Sequence, residues 1–228
     1  MKACVIIPAL NAGETIFDLA AKLLAMGHRV VVIDDGSTDN TSQEARRAGA
    51  VVIKHEANRG KGAALKTGFG YALEGGYEAV ITIDADGQHS YDEVPKFLKA
   101  AVDDADVVVG SRMGDTHDMP PIRILTNRLS SFIISRLTGE RIEDSQCGFR
   151  LIKSRVLRGI KLVTNGYDTE SELLIKAARA GFRIVTIPVK TIYTADRVSH
   201  INPFFISFRF LRLLWRSLWW KNRGPRRA

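Results

Sequence analysis

The stretch AVITIDADGQH, residues 79–89, determines the fold that we expect for this chain. Its first five residues are apolar or β-branched at successive positions, and a second run, VVVID at residues 30–34, has the same character. Strands that are apolar on both faces are typical of parallel sheets covered by helices on both sides. Both runs end in aspartate, at the carboxyl end of the strand, where ligands bind in such sheets.

Strands and helices alternate along most of the chain. Apolar runs predict strands at 3–7, 29–34, 51–55, 79–83, 107–110 and 183–189. Helical periodicity and capping signals predict helices at 14–26, 40–48, 63–73 and 91–101. This order indicates an α/β protein with a doubly wound, mostly parallel sheet, and we assign residues 1–200 to that domain.

The composition excludes several classes of protein. A chain of 228 residues with 45% hydrophobic and 25% charged residues can bury a sizeable core, which excludes wholesale disorder. Its two cysteines form no disulfide framework or metal pattern, so we expect a reducing compartment and a packed core thiol at Cys147. We expect neither a leader peptide nor a membrane-spanning helix, which would need about 20 apolar residues.

The net charge of +8 is carried by the C-terminal end. Residues 197–228 contain eight lysines or arginines and no acid, and arginines recur on one face of a helix expected over 201–220. The other faces are rich in Phe, Leu and Trp, and arginines are costly inside a bilayer core. We therefore predict that residues 201–228 form a basic amphipathic tail that lies on an anionic membrane surface and does not bind nucleic acid. The alternative is packing on the domain or oligomerisation.

The acidic turn after residue 83 has the ligand types of a metal site. Asp84 and Asp86 are two apart on an extended chain, so their side chains point the same way, and Gln88 follows on that side. Carboxylate and amide oxygens suit Mg²⁺ or Mn²⁺ held jointly with substrate phosphates. The alternative is a turn in which the carboxylates only cap the following helix.

Other polar clusters follow other strands. The pair Asp34 and Asp35 ends the second strand, where a carboxylate can accept hydrogen bonds from a nucleobase or ribose, and turn chemistry alone does not explain the pair. In NRGKG, residues 58–62, glycines would let the backbone approach a phosphate while Lys61 or Arg59 supplies charge. A third cluster, DSQCGFR at 144–150, precedes the strand-like stretch GFRLIK.

These motifs together resemble family 2 of the glycosyltransferases, in the branch with dolichyl-phosphate mannose synthase and related polyprenyl-phosphate sugar transferases. The resemblance rests on IIPALN, VVIDDGSTDNT, NRGKGAALKTG, IDADGQH, VGSR, DSQCGFR and RVSHINP, in order from about residue 3 to residue 203. It implies a GT-A fold, a nucleotide-sugar donor such as GDP-mannose or UDP-glucose, Mg²⁺ or Mn²⁺, inversion at the anomeric carbon, and a polyprenyl or dolichyl phosphate acceptor.

The resemblance also implies roles for individual residues. It puts Pro8, Asn11 and Asp35 at the nucleotide, and Glu14 stands in for an acid that the family often has where this chain has Ala12. With Lys61, the full nucleotide-sugar set is Pro8, Asn11, Glu14, Asp35, Lys61, Asp84, Ala85 and Asp86. The metal ligands implied are Asp84, Asp86 and Gln88. With Asp144 as an acid that can orient groups near the acceptor, the predicted catalytic set is Asp84, Asp86, Arg112 and Asp144.

A phosphate acceptor changes what the site must supply. Its second pKa is about 6, so it is largely dianionic at neutral pH and needs a cationic cradle more than a general base. The residues predicted to hold the acceptor phosphate are Arg112, Arg123, Arg128, Arg150, Arg197 and Ser199. Two acids, Glu170 and Glu172, fit either this region or a solvated helix face.

The segment at 122–137 bears on where the protein acts. It reads as a core-facing helix or as a lipid-facing helix beside the acceptor groove. We expect a monotopic enzyme on the cytoplasmic face of the membrane that transfers a single sugar. A glycosyltransferase for another lipid or a protein acceptor, a sugar nucleotidyltransferase, and a non-enzymatic scaffold on a degenerate transferase fold are the competing interpretations.

Overall fold

The computed structural model describes residues 1–114, 116–117, 119–190, 192, 212–215 and 217. Seven strands form one sheet: β1 Ala3–Ala9, β2 Arg29–Asp34, β3 Val51–Lys54, β4 Ala79–Thr82, β5 Val107–Ser111, β6 Arg150–Lys153 and β7 Ile184–Pro188. Among the described residues up to 190, seven α-helices accompany it: α1 Ile16–Ala25, α2 Thr41–Arg47, α3 Lys61–Glu74, α4 Val94–Val102, α5 Pro121–Thr138, α6 Ser154–Gly159 and α7 Asp168–Arg179. A single 3₁₀ turn, Tyr91–Glu93, leads into α4.

The sheet has the strand order β3-β2-β1-β4-β6-β5-β7. Every neighbouring pair is parallel except the two that involve β6, which runs antiparallel to β4 and to β5. The prediction of a mostly parallel α/β sheet is therefore confirmed. Strand β6, expected only as a strand-like stretch, is the element that departs from the simple alternation, and helices α6 and α7 were not predicted.

Successive residues of the central strands enter two separate cores. On one side of the sheet Val5 and Ile7 of β1 pack with α1 and with Phe97 of α4. On the other side Cys4 and Ile6 pack with residues of α3 and α7. This explains the continuous apolar runs, since each buried aliphatic side chain contributes roughly 1.5–3 kcal/mol by leaving water.

Both cysteines are free and buried. Burial raises the pKa of the Cys147 thiol to about 12, and this thiol lies in the same core as Phe149. The prediction of a packed core thiol at Cys147 is therefore confirmed.

The antiparallel direction of β6 determines which loops meet. The parallel strands β1, β2, β4 and β5 all have their carboxyl ends on the same side of the molecule, and β6 begins on that side. The loop before β6, residues 144–149, is thereby brought next to the turn after β4 and the loop after β5. Polar residues distant in sequence converge there.

Helix α5 buries a polar face and exposes an apolar one. Its buried residues are Asn127, Ser130, Ser131 and Ile134, three of them polar. The apolar residues Ile122, Leu125, Leu129 and Phe132 are 58–64% exposed. The interpretation as an ordinary core-facing helix is therefore wrong for this stripe of residues.

Only a short part of the predicted tail lies within the described residues: helical residues 212–215 and 217, called here the tail segment. Leu213 and Ser217 are buried, and Arg179 of α7 donates a hydrogen bond to the carbonyl of Ser217. Trp215 is 66% exposed. One face of the tail segment thus packs on the domain. Among the described residues, no helix has both the length and the hydropathy needed to cross a bilayer.

Candidate active site

Asp84, directly after β4, and Glu170 of α7 both pair with one half-buried lysine, Lys61. Lys61 Nζ at the start of α3 lies 2.7 Å from Asp84 Oδ1 and 3.1 Å from Glu170 Oε2. Burial alone would raise the pKa of Asp84, but the charges of Lys61 and Arg112 hold it below its ordinary value. Burial likewise opposes the charge of Lys61, and the two carboxylates outweigh it and raise the lysine pKa. Asp84 is therefore held in its charged form, and two carboxyl groups share the single ammonium group of Lys61.

Close backbone approaches fix this cluster. A Cβ on Gly148 would lie 2.3 Å from Asp84 Oδ2, so only glycine lets the loop before β6 pass the carboxylate. A Cβ on Gly62 would lie 1.8 Å from Thr169 Oγ1. A Cβ on Gly60, which has a φ of 95°, would lie 2.4 Å from the carbonyl oxygen of Asn165. The glycines of NRGKG thus allow contact with another loop of the protein, where the sequence analysis expected a phosphate.

The turn after Asp84 carries the other two predicted metal ligands. Asp86 is exposed, and its Oδ1 accepts a hydrogen bond of 2.9 Å from the backbone N–H of Gln88. Asp86 therefore stabilises the turn through this hydrogen bond. This contact resembles the alternative raised in the sequence analysis, in which the carboxylates have only a local structural role. The carbonyl of Gln88 accepts a hydrogen bond from the N–H of Ile192. In the part of the chain that the structure describes, no three His, Cys, Asp or Glu side chains form a metal-binding group by themselves.

His89 ends the same motif, and the sequence analysis gave it no role. Its ring is buried and packs 5.5 Å from the ring of Phe149. Burial lowers its pKa, against the opposing charges of Asp84 and Asp86. Its Nδ1 is buried without a hydrogen-bond partner among the described residues. Burial therefore disfavours the charged form of this imidazole, although the charges of Asp84 and Asp86 act on it.

Arg112 and Asp144 form a bidentate ion pair. The Nε and Nη2 atoms of Arg112 lie 2.7 Å and 3.0 Å from the two carboxylate oxygens of Asp144, whose Oδ2 also accepts the backbone N–H of Arg112. Asn127 of α5 donates a further hydrogen bond of 2.8 Å to Asp144 Oδ1. Burial would raise the pKa of Asp144, but the hydrogen bonds and charge of Arg112 lower it. Asp144 thus orients Arg112, whose charge acts on nearby Asp84.

The prediction that Arg150 holds the acceptor phosphate needs correction. Its side chain is 1% exposed, and its guanidinium donates to the carbonyls of Ser145, Cys147 and Glu170 at 2.7–2.8 Å. Through these hydrogen bonds the guanidinium of Arg150 joins β6 to the loop before it and to α7. The role of Arg150 is therefore structural.

The other acceptor candidates are spread along α5 and the late loop. Arg123 is half-buried and Arg128 is exposed, on the helix that supplies Asn127 to the Asp144 network. Arg197 and Ser199 lie outside the described residues.

The predicted nucleotide residues line the ends of β1 and β2. Asn11 adopts the left-handed conformation at φ 51°, and its Oδ1 accepts the N–H of Thr38 at 3.0 Å. Pro8 is half-buried in β1, and Glu14 is exposed just before α1. The buried Ala85 accepts a hydrogen bond of 2.6 Å from Thr15 through its carbonyl.

Asp35 ties β2 to the start of α3. Its Oδ1 contacts His55 Nδ1 at 2.6 Å and accepts the N–H of Arg59, and its Oδ2 accepts the N–H of Gly60 at 2.8 Å. The neighbouring Asp34 accepts the N–H of Ser37, which is ordinary turn chemistry. Asp35 therefore positions the loop that carries Lys61, and His55 is a partner that the sequence analysis missed.

The two acids of α7 have different roles. Glu172 is buried and accepts hydrogen bonds from the backbone N–H groups of Val163 and Thr164. Glu170 pairs with Lys61. Neither lies on a solvated helix face, and the sequence offered no signal for this beyond the two acids themselves.

Comparisons with known proteins agree with this architecture. The family described as Glycosyl transferase family 2 matches residues 4–160. The UDP-N-acetylglucosamine–dolichyl-phosphate N-acetylglucosaminyltransferase of Methanococcus voltae is 33% identical over 92% of this chain and 93% of its own length. The undecaprenyl-phosphate mannosyltransferase of Micrococcus luteus is 31% identical, with 83% of each chain covered.

The solved structures extend the comparison to the fold. Glucosyl-3-phosphoglycerate synthase from Mycobacterium tuberculosis, in a complex with Mn²⁺ and UDP-glucose, covers 98% of this chain and 80% of its own with a TM-score of 0.72. Its sequence identity is 21%, so this likeness concerns the fold. The expected GT-A fold is confirmed, and the chain belongs to glycosyl transferase family 2 and is a glycosyltransferase.

Proposed function

We propose that this protein is an inverting glycosyltransferase that moves one sugar from a nucleotide sugar to a polyprenyl or dolichyl phosphate at a membrane surface. The observation that carries the proposal is the pairing of an anionic cluster around Asp84 with the oriented guanidinium of Arg112 at one sheet edge. Two relatives, named as transferases for dolichyl phosphate and undecaprenyl phosphate, support the class of acceptor.

The residues present fit a divalent cation. Asp84 is kept ionised, and Asp84 and Glu170 together outweigh the single charge of Lys61. Asp84, Asp86 and Gln88 would hold Mg²⁺ or Mn²⁺ with the donor phosphates. When bound, the ion supplies neutralisation of the charge that grows on the leaving nucleoside diphosphate.

The nucleotide would bind at the ends of β1 and β2. Asn11 and Asp35 lie there, and Asp35 also holds the loop that leads to Lys61. Lys61 is then placed between the nucleotide and the metal ligands. Glu14 is exposed at the same end of the sheet, so its proposed contact needs the bound nucleotide to reach it.

Arg112 would receive the acceptor phosphate. Asp144 and Asn127 fix its orientation, so that a rigid guanidinium presents its remaining N–H groups. Arg123 and Arg128 on α5 extend the positive charge toward the exposed apolar stripe. A phosphate dianion attacks the anomeric carbon without first losing a proton, so no general base is required.

The membrane surface is the proposed place of the reaction. Helix α5 exposes Ile122, Leu125, Leu129 and Phe132 and contains arginines but no acid. An exposed apolar stripe flanked by arginines suits the boundary between headgroups and acyl chains. We propose that residues 1–200 form the catalytic domain, that residues 201–228 add a basic tail, and that both meet the cytoplasmic face of a membrane.

A transfer assay tests the proposal. Purified protein is incubated with Mn²⁺, a panel of UDP- and GDP-sugars, and farnesyl phosphate or farnesol in mixed micelles. We expect a glycosylated product with farnesyl phosphate and at least one donor, none with farnesol, and none from Asp86→Asn. Transfer to farnesol or to a protein with no transfer to the phosphate would overturn the acceptor assignment.

A further inference from the structure

A cavity of about 520 Å³ lies at the amino end of α3. Three stretches line it: residues 58–61 at the start of α3, residues 164–168 before α7, and Arg212 with Leu213 of the tail segment. This volume lies within the range of roughly 300–1,000 Å³ that small-molecule sites have in proteins. The proposed function gives a role to only one of its lining residues, Lys61.

Two arginines make the lining of the cavity basic. Arg59 and Arg212 both line it, and neither has a carboxylate partner among the described residues. The only acid in its described lining is Asp168, while Lys61 is already compensated by carboxylates outside the lining. Two guanidinium groups and one carboxyl group thus line the same cavity, and this excess of positive charge suits an anion.

Phosphate is the anion that this lining suits. A guanidinium stays charged at any physiological pH and presents parallel N–H donors that match two phosphate oxygens. The half-exposed Tyr167 lines the same cavity, and its ring lies 5.8 Å from Lys61 Nζ. Lys61 in turn touches Asp84, so a phosphate in this cavity adjoins the proposed reaction centre.

The tail segment completes the cavity. Arg212 and Leu213 come from the C-terminal end of the chain, far from the other lining residues in sequence. The burial of Leu213 and the hydrogen bond from Arg179 to the carbonyl of Ser217 hold this segment against α7. Arg212 therefore reaches the cavity only when the tail segment is seated.

We infer that this cavity is a phosphate-binding subsite, with Arg59 and Arg212 as the phosphate ligands and with the tail segment as one of its walls. The inference rests on the proposed function for the source of the phosphate. A lipid-linked phosphate monoester and the diphosphate of the nucleotide sugar share the chemistry that the arginines recognise. In either case the seating of the tail segment is coupled to substrate binding.

Calorimetric binding to the full-length protein tests the inference. The site variants are Arg59→Gln and Arg212→Gln, and the matched control is Arg46→Gln, an exposed arginine on α2. The probes are farnesyl phosphate, farnesol, and UDP or GDP with Mn²⁺, and thermal unfolding checks that each variant is folded. We expect each site variant to lower the affinity for one phosphate probe about tenfold or more, because one pair of charge-assisted hydrogen bonds is lost. The corresponding Arg→Lys variants should have intermediate affinities.

The pattern of weakened binding distinguishes an acceptor phosphate from a donor phosphate, and it tests the subsite separately from the proposed function. Weakening confined to farnesyl phosphate assigns the subsite to the acceptor, and weakening confined to the nucleotide assigns it to the donor. Unchanged affinity for both probes in both variants overturns the inference, as does a wild type that binds neither. If the wild type binds the probes through these arginines but transfers no sugar, the proposed function fails and the subsite stands.

Discussion

Lys61 Nζ lies 2.7 Å from Asp84 Oδ1, at the strand end where we propose that a divalent cation binds. The lysine therefore neutralises in part the carboxylate that the cation would use. Glu170, 3.1 Å from the same nitrogen, offers Lys61 a second partner when the cation arrives. This arrangement makes metal binding and the position of Lys61 interdependent.

Replacement of Lys61 tests that interdependence. In Lys61→Met the carboxylates of Asp84 and Glu170 face each other without the cation between them. Because the cluster is partly exposed, we expect a loss of about 2–3 kcal/mol in the free energy of unfolding without metal, below the range of fully buried pairs. Mn²⁺ should restore more stability to this variant than to the wild type, as thermal unfolding with and without Mn²⁺ will show.

The control for that experiment is Lys99→Met, at an exposed lysine in the last turn of α4. It should change neither the stability nor the response to Mn²⁺. Equal responses of Lys61→Met and the wild type to Mn²⁺ would contradict competition between the lysine and the metal.

The ion pair of Arg112 with Asp144 predicts a dependence of stability on pH. The pKa of Asp144 is lowered in the folded state, so its contribution is fully present above the unfolded value of about 3.9 and is lost as the pH falls through the lower folded value. Asp144→Asn removes this contribution and leaves Arg112 unpaired, at a cost of about 3–5 kcal/mol at neutral pH. Urea unfolding from pH 7 to pH 3 should show the wild type losing stability toward acid more steeply than the variant, and equal slopes would count against the pair.

Gly148 offers a test of the position of Asp84. A Cβ at Gly148 would lie 2.3 Å from Asp84 Oδ2, so Gly148→Ala must displace either the carboxylate or the loop. Overpacking of this kind costs about 1–3 kcal/mol, and we expect weaker Mn²⁺ binding by electron paramagnetic resonance. Gly70→Ala in α3 is the matched control, because nothing lies within 4 Å of its added Cβ and alanine favours the helix. Unchanged Mn²⁺ affinity in Gly148→Ala would argue against Asp84 as a ligand.

The fold could be predicted because its strands are apolar at successive positions and each ends in a polar cluster. The direction of β6 could not, since a strand of four residues, Arg150–Lys153, carries no signal for parallel or antiparallel pairing. That direction is what brings Asp144 to Arg112.

Strand ends alone are enough to put Asp35 and Asp84 at the carboxyl end of the sheet, and the binding roles expected of both stay predictions. The partnership of Lys61 with Glu170 joins two helices far apart in sequence, and TESELL in α7 reads as an ordinary polar face. Arg150 was misassigned because a basic residue in a polar cluster shows no sign of burial until the carbonyls around it are known.

Helix α5 shows the limit of periodicity. Its apolar spacing indicates one apolar face, but not whether that face is buried. Three of its four buried residues are polar, and one of them, Asn127, belongs to the hydrogen-bond network of Asp144. The exposed apolar stripe is therefore a consequence of how the active site is supported.

The last prediction concerns this stripe. Leu125 and Leu129 are more than half exposed, so the double variant Leu125→Gln/Leu129→Gln should leave the free energy of unfolding within about 0.5 kcal/mol per site. If α5 enters the acyl boundary, each leucine contributes roughly 1.5–3 kcal/mol to membrane binding, and partition into anionic vesicles should fall at least tenfold. Flotation of the full-length protein measures this partition, with Val102→Gln, a highly exposed apolar residue on α4, as the control. If the double variant and the control partition equally, α5 does not face the membrane, and the basic tail alone would have to account for any binding.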